Sequence, residues 1–360
     1  MLKKYTLLAV FLPFLLTFLS SNGRDLADRQ NIYNDKILYY FAERGFNLSD
    51  LIQFNFTSAN IENLLRLMAV RDGYPGLINY MSYQPQYNDW LLTFYNRQQL
   101  FFAGSRMLPL ELLSETARFR PFISYQLREI DDPADFSAER INNLHARYNP
   151  HLVTPQPVTV AAPANPAPPA APPPPRVSRS YNSNYYNIIY GGNTAQQIQR
   201  LLVRVDFLGY NFLTHPILAP VLEQIDEQIM AHPDEDEELT NFLASLTSIA
   251  SYSFRPILGT TTLSYHAFAM AVDMLPRNQN QPIYWAWDAR HNPLWYLTPV
   301  ANRWQIPAII IEAFEEHGFF WGGRWPMYDI MHFEYRPELL KLQQYRNEFN
   351  QFLLRLANYA

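Results

Sequence analysis

Two short stretches of this chain carry the residue types that metal and acid–base chemistry need. The first is Ser264-Tyr-His266-Ala-Phe-Ala269-Met-Ala271-Val-Asp273; the second, well downstream, is Asp329-Ile-Met-His332-Phe-Glu334. Together they offer His266, Asp273 and His332 as three ligands for one metal, with a further carboxylate, Asp329, three residues before the last of them. A hydrolytic zinc keeps three protein ligands and leaves its fourth tetrahedral position to water. Water held there has its pKa brought from about 15.7 towards roughly 7, and a neighbouring carboxylate must take the proton and return it to the leaving amine. His266, Asp273 and His332 suit the first task and Asp329 the second. Spacing alone does not separate this reading from one of hydrogen-bonded structural histidines, because two of eight histidines lying near aspartates is unremarkable in 360 residues.

The pattern S-x-H-x-x-(G/A)-x-A-x-D followed by D-x-M-H-F-E resembles the VanY-like family of D-alanyl-D-alanine carboxypeptidases and L-alanyl-D-glutamate peptidases. The resemblance runs from Arg255 to Glu334. It implies zinc ligation by His266, Asp273 and His332, Asp329 as general base and acid, and a substrate in the stem peptide of peptidoglycan. It also implies an arginine shortly before the first motif that binds or polarises the substrate, and Arg255 stands there. Ser264 heads the motif, close to the ligands or the substrate. Glu334 shares strand parity with His332 and suits holding the second imidazole N–H, a solvated strand residue being the alternative. One departure is Ala269, where the family commonly has Gly; if that position needs positive φ or close backbone approach, a Cβ narrows the site or costs stability. Two functions follow. One is a secreted zinc peptidase cutting stem-peptide amide bonds, as a D,D-carboxypeptidase or an L,D-type endopeptidase. The other is a metal-containing module that binds wall peptide without cutting it.

Positioning these side chains makes demands on the backbone. An odd number of positions separates His266 from Asp273, so an uninterrupted strand would face them oppositely. A turn or short helical bend is therefore expected in Ala267-Phe268-Ala269. The same parity argument requires a turned backbone between Asp329 and His332. Strands are expected at Ser251 to Ile257, delivering Arg255, and at Ala269 to Met274. A helix starts at Pro307, buries Ile310, Ile311 and Phe314, and ends at His317 before Gly318. Residues 177–360 are thus expected to form an α+β module, a small mainly antiparallel sheet with packing helices, the DD-peptidase/hedgehog-like architecture that the resemblance also implies.

The remainder of the chain is read from composition. With 48% hydrophobic residues it can bury a sizeable core, and its length suits two domains. A net charge of −5 gives no electrostatic reason to expect a nucleic-acid partner. Cysteine is absent, which removes both disulfides and thiolate metal sites. Residues 1–23 join Lys3 and Lys4 to an apolar run and small polar residues, as a secretory signal peptide does, and imply an exported, periplasmic or wall-associated protein. An uncleaved membrane anchor is the competing reading. Residues 24–152 read as a mostly helical domain of unknown role, with helices from Ser58 to about Gly73 and from Leu108 to Phe119. Residues 153–176 form a Pro/Ala-rich linker, able to set two domains several tens of Å apart. After it, the Tyr- and Asn-rich stretch Ser178 to Tyr190 reads as irregular. His291, among Trp285, Trp287 and Trp295, is a weak further ligand candidate, and those aromatics either wall a cleft or pack beneath a long loop.

Overall fold

The structure, a computed structural model, describes residues 25–123, 130–152, 181–231, 237–257 and 260–358. The signal-like segment and the Pro/Ala-rich tract lie outside these. The N-terminal unit begins with helices α1 (Asp25–Ala42), α2 (Leu48–Gln53) and α3 (Ser58–Gly73). Thr57 caps α3 by accepting from Asn60 N, the helix spans the expected residues, and the i, i+3, i+4, i+7 set Ile61, Leu64, Leu65 and Met68 is buried. Three short antiparallel strands follow, β1 (Ile78–Gln84), β2 (Asp89–Phe94) and β3 (Gln99–Phe101), in the order β1-β2-β3. The mostly helical expectation did not place this sheet. The second expected helix is instead a kinked 3-10 segment, Leu110–Arg118, that buries none of its residues and leaves Leu110 50% exposed. It lies against β3 and leaves Leu112 and Leu113 only half-buried. Helix α4 (Ala138–Tyr148), capped by Ser137, completes the unit.

The C-terminal module opens with helix α5 (Ser183–Tyr190), where an irregular stretch was expected. Asn182 caps it and Tyr185, Tyr186, Ile188, Ile189 and Tyr190 are buried, so aromatic packing overrides the weak helix propensity of Asn and Tyr. Then come α6 (Ala195–Gln199), the hairpin β4 (Val203–Phe207) and β5 (Tyr210–Thr214), α7 (Ala219–Met230) and α8 (Glu237–Ser245). The module's larger sheet follows, from β6 (Leu246–Ala250) and β7 (Ala271–Pro276), through α9 (Trp285–Asp288) and α10 (Ala308–Glu316), to β8 (Phe319–Trp321), β9 (His332–Tyr335) and the closing helix α11 (Pro337–Asn358). Its order is β6-β7-β9-β8, antiparallel throughout. The fold is α+β with a small antiparallel sheet, as read from the sequence. One strand is displaced: β6 ends at Ala250, and residues 251–255 do not extend it. Their backbone is committed to the turn that carries His266, with Ser253 N donating to His266 O at 3.0 Å and Arg255 O accepting from Ser264 N at 3.0 Å.

The two units are not set apart. Helices α3 and α11 pack together, and one continuous hydrophobic core runs from Phe41 and Leu64 to Phe314 and Phe349. At the junction Arg336, fully buried, donates to Glu338 Oε1 at 2.5 Å and to the Phe122 carbonyl at 2.8 Å. Tyr74 Oη of the N-terminal unit donates to Glu338 Oε2 at 3.0 Å. Tyr345 donates to Asp72 at 2.6 Å, and Arg346 pairs with Glu62. Breaking a buried pair leaves a charge without compensation. Because Glu334 remains 3.6 Å from Arg336, Glu338→Ala is expected to destabilise by about 3 kcal/mol, the lower end for such pairs. Tyr74→Phe should cost about 1 kcal/mol. Equilibrium denaturation of both variants measures the difference.

Candidate active site

The site is assembled by strand register. Asp273 on β7 and His332 on β9 are direct partners across the antiparallel pair, so their side chains leave the same face of the sheet. His332 Nδ1 lies 2.8 Å from Asp273 Oδ1. His266 arrives from a 3-10 turn, Tyr265–Phe268, capped by Ser264 Oγ, which accepts from His266 N at 3.3 Å. Ala269 then reverses the chain into β7 from the left-handed region, φ 53 and ψ 37. The bend therefore falls where strand parity demanded it. The Ala269 conformation is held by its carbonyl, which accepts from His215 N at 3.2 Å, Thr214 Oγ1 at 3.2 Å and Ser251 Oγ at 3.1 Å. With the turn in place, His266 Nε2 lies 3.0 Å from His332 Nδ1 and 3.0 Å from Asp273 Oδ1.

What faces the middle of this triangle follows from what each ring does with its other nitrogen. His266 Nδ1 is 2.7 Å from the Ser251 carbonyl, which can only accept, so the ring proton sits there and Nε2 turns its lone pair inward. His332 Nε2 is 3.4 Å from Glu334 Oε1, and the same argument leaves its Nδ1 lone pair inward. Two lone pairs and a carboxylate oxygen facing one another need a cation between them. Without a metal that cation is a proton. Burial opposes charge on His332, but hydrogen bonds to Asp273 and Glu334 outweigh it and raise its pKa well above the ordinary imidazole range. Burial likewise raises Asp273, yet the charge and hydrogen bonding of His266 and His332 leave it far below the usual carboxylate range. Donors about 2.0–2.1 Å from a tetrahedral zinc are roughly 3.3 Å apart, so the triangle needs to open by only a few tenths of an ångström to accept one.

Asp329 stands beside the cluster. Its carbonyl accepts from His332 N at 3.3 Å, the turn that brings the two side chains to one side, and its own N donates to Gly322 O at 3.0 Å. A Cβ at Gly322 would come within 2.5 Å of Asp329 O, so glycine is required there by close approach alone. The residue is partly exposed, yet Oδ1 is sealed from solvent and has no hydrogen-bond partner. Desolvation, reinforced by Asp273 and opposed by His332 and Arg255, raises its pKa to about 7. A buried carboxylate oxygen with an unmet bond beside a three-ligand cluster fits a proton carrier next to a metal, and the donor set of two imidazoles and one carboxylate suits zinc.

The structure thus brings together His266, Asp273, His332, Asp329, Glu334 and Ser264, with Arg255 exposed on the loop before the motif and near enough to favour ionised Asp329. His291 is elsewhere, on the surface, its Nδ1 against Trp287 O at 3.0 Å. His317 caps α10, with Nδ1 on Ala313 O at 2.8 Å. No local signal marks Ser251, whose carbonyl faces His266 Nδ1, or Trp325, whose ring lies 5.4 Å from that of His332. Arg336, behind Glu334, was also missed, although a basic residue two positions after a buried acid on a strand end is a visible hint.

Ala269 carries the steric cost of a left-handed residue with a Cβ, about 1 kcal/mol. Ala269→Gly is expected to raise the thermal midpoint by about 2–4 °C with the metal affinity unchanged, as scanning calorimetry and zinc titration can measure. Glu334→Gln is expected to weaken zinc binding by about 10–100-fold, read by chelator competition, because the tautomer of His332 is no longer enforced by a carboxylate.

Two family models match the chain. Residues 258–335 match the one described as D-alanyl-D-alanine carboxypeptidase, and residues 66–124 match a domain of unknown function. No curated protein and no solved structure matches significantly. The first match spans both motifs, the left-handed turn and the β7–β9 pair, and it leaves residues 24–257 untouched. It is the C-terminal module, over residues 258–335, that carries the D-alanyl-D-alanine carboxypeptidase family's domain.

Proposed function

We propose that the protein is an exported zinc peptidase that hydrolyses amide bonds in the stem peptides of peptidoglycan, with His266, Asp273 and His332 as the zinc ligands. The observation that carries this reading is the convergence of three donor atoms within 3.0 Å of one another next to the unpartnered Oδ1 of Asp329. Zinc held there would act as a Lewis acid, lowering the pKa of water and polarising the scissile carbonyl. The chain's own contribution is positional and protonic. Ser251 and Glu334 fix the two imidazole tautomers, so that neither ring turns away from the cluster. Asp329, near neutrality in its proton affinity, takes the proton of the attacking water at Oδ1 and returns it to the leaving amine. Arg255, exposed at the rim, holds a substrate carboxylate or the oxyanion that develops on the carbonyl. The apolar run of residues 1–23, with its basic start, supports export. Among the described residues no helix is long and apolar enough to cross a membrane.

Incubation of the purified protein and zinc with muropeptides, followed by mass analysis, should show released D-alanine or cleaved stems. Intact substrate over folded, zinc-loaded protein would sink the peptidase reading and leave a wall-peptide-binding module. Asp329→Ala should retain zinc while losing turnover by about 100-fold or more. The base must be ionised to act, so kcat/KM should rise with pH, with its ascending limb at or below about 7, since zinc beside Asp329 favours its charged form. In the metal-free protein the sign for stability is opposite. A carboxylate whose folded pKa is raised stabilises fully below its unfolded pKa, about 3.8, and loses that contribution as pH rises to about 7. Asp329→Asn should therefore raise the thermal midpoint of metal-free protein more at pH 8 than at pH 5.

A further inference from the structure

A small cleft, with about 50 Å³ of internal space, opens beside the ligand cluster where the N-terminal unit meets the C-terminal module. Phe136, Arg140 and Tyr148 line it from one side, and Tyr296, Arg303 and Trp325 from the other. The first wall is fastened to the second at three points. His145 Nδ1 lies 2.8 Å from Tyr296 Oη, Asn149 Nδ2 donates to the Pro293 carbonyl at 2.5 Å, and Asp132 Oδ1 accepts from Val300 N at 3.2 Å. Its floor therefore exists before any ligand arrives. Trp325 belongs to both places, since it lines the cleft and its ring lies tilted, 5.4 Å from that of His332.

Arg303 is the feature that asks for a ligand. The residue is 5% exposed, and its guanidinium carbon sits 3.9 Å over the Tyr328 ring. Nε and Nη2 both donate to the Thr298 carbonyl, at 3.1 and 2.8 Å. Nη1 has no hydrogen-bond partner among the described residues and is not sealed from solvent. Asp132 and Asp288 lie near enough to favour its charge, but neither hydrogen-bonds to it, and Asp288 Oδ2 accepts from Thr298 Oγ1 and Tyr328 Oη, each at 2.6 Å. Asp132 Oδ1 is likewise occupied, by the amides of Val300 and Ala134. A guanidinium nearly enclosed by protein, with one nitrogen facing open space, is the arrangement that binds a carboxylate with a charge-assisted bond.

We infer that this cleft is a subsite for an acidic peptide, with Arg303 Nη1 donating to a carboxylate of that peptide and the N-terminal unit supplying one wall. The direction of the peptide, from the ligand cluster across Trp325 into the cleft, rests on the peptidase reading above. The carboxylate selectivity does not. Arg140, exposed at the rim and paired with Asp131, leaves the mouth close to neutral, so Arg303 alone sets the preference.

The test uses the full chain with Asp329→Asn, which does not turn over, titrated by calorimetry with a stem peptide bearing a free α-carboxylate on its glutamyl residue and with the α-amidated form. The acidic peptide should bind about tenfold more tightly, as one charge-assisted hydrogen bond provides. Arg303→Gln should erase that preference and Arg303→Lys should keep part of it. Equal binding of the two peptides by the chain with Arg303 intact overturns the inference, as does a preference that survives in folded Arg303→Gln. The amidation comparison stands even if the Arg303 variants do not fold. Absence of cleavage by the unsubstituted enzyme bears on the peptidase reading alone, because the cleft is read by binding.

Discussion

One strand pairing underlies everything the site can do. Asp273 opposite His332 on β7 and β9 puts a carboxylate and an imidazole on one face, and a slip of that register by one residue would send one of them to the other side of the sheet. The third candidate ligand, His266, cannot sit on an unbroken extension of β7, because its odd spacing from Asp273 would face it to the other side. It comes instead from a turn whose last residue must be left-handed, and three donors converge on the Ala269 carbonyl to keep it so. The small steric penalty of alanine is borne by those bonds and by full burial.

Behind the ligands lies a chain of buried charge. His332 rests on Glu334, Glu334 lies near Arg336, and Arg336 is tied to Glu338 and to the Phe122 carbonyl. Tyr74 and Phe122 belong to the N-terminal unit, so the partner of a metal-ligand candidate is itself supported from outside the family's domain. Such a buried network is costly to form, and removing one member leaves its partner's charge uncompensated. This gives the N-terminal unit a physical role that its own sequence does not announce. It is packed against the back of the site through α3 and α11, and it walls the cleft beside the front through α4.

The bend between His266 and Asp273 was legible because the side-chain period of a strand is fixed, so an odd spacing between two residues that must meet requires an interruption. The turn between Asp329 and His332 was legible for the same reason, and α10 from Pro307 because proline, an apolar stripe and a glycine mark both ends. The strand expected at Ser251 to Ile257 failed because local pattern says nothing about who takes the backbone hydrogen bonds. There the His266 turn competes for them and wins. The N-terminal strands β1 to β3 are short and aromatic, which in isolation resembles packing helix as much as sheet.

The sequence by itself determined the chemistry on offer: the candidate donor residues, the carboxylate beside them, and the α+β class of the module that holds them. These follow from residue type, period and motif, all of which are local. Only the tertiary structure decided that two halves joined by a proline tract share one core, that a main-chain carbonyl at Ser251 and a carboxylate at Glu334 fix the tautomers, and that Arg303 faces a cleft. Each of those depends on which distant backbone and side-chain groups compete for the same neighbours, and that competition is settled by the packing of the whole chain.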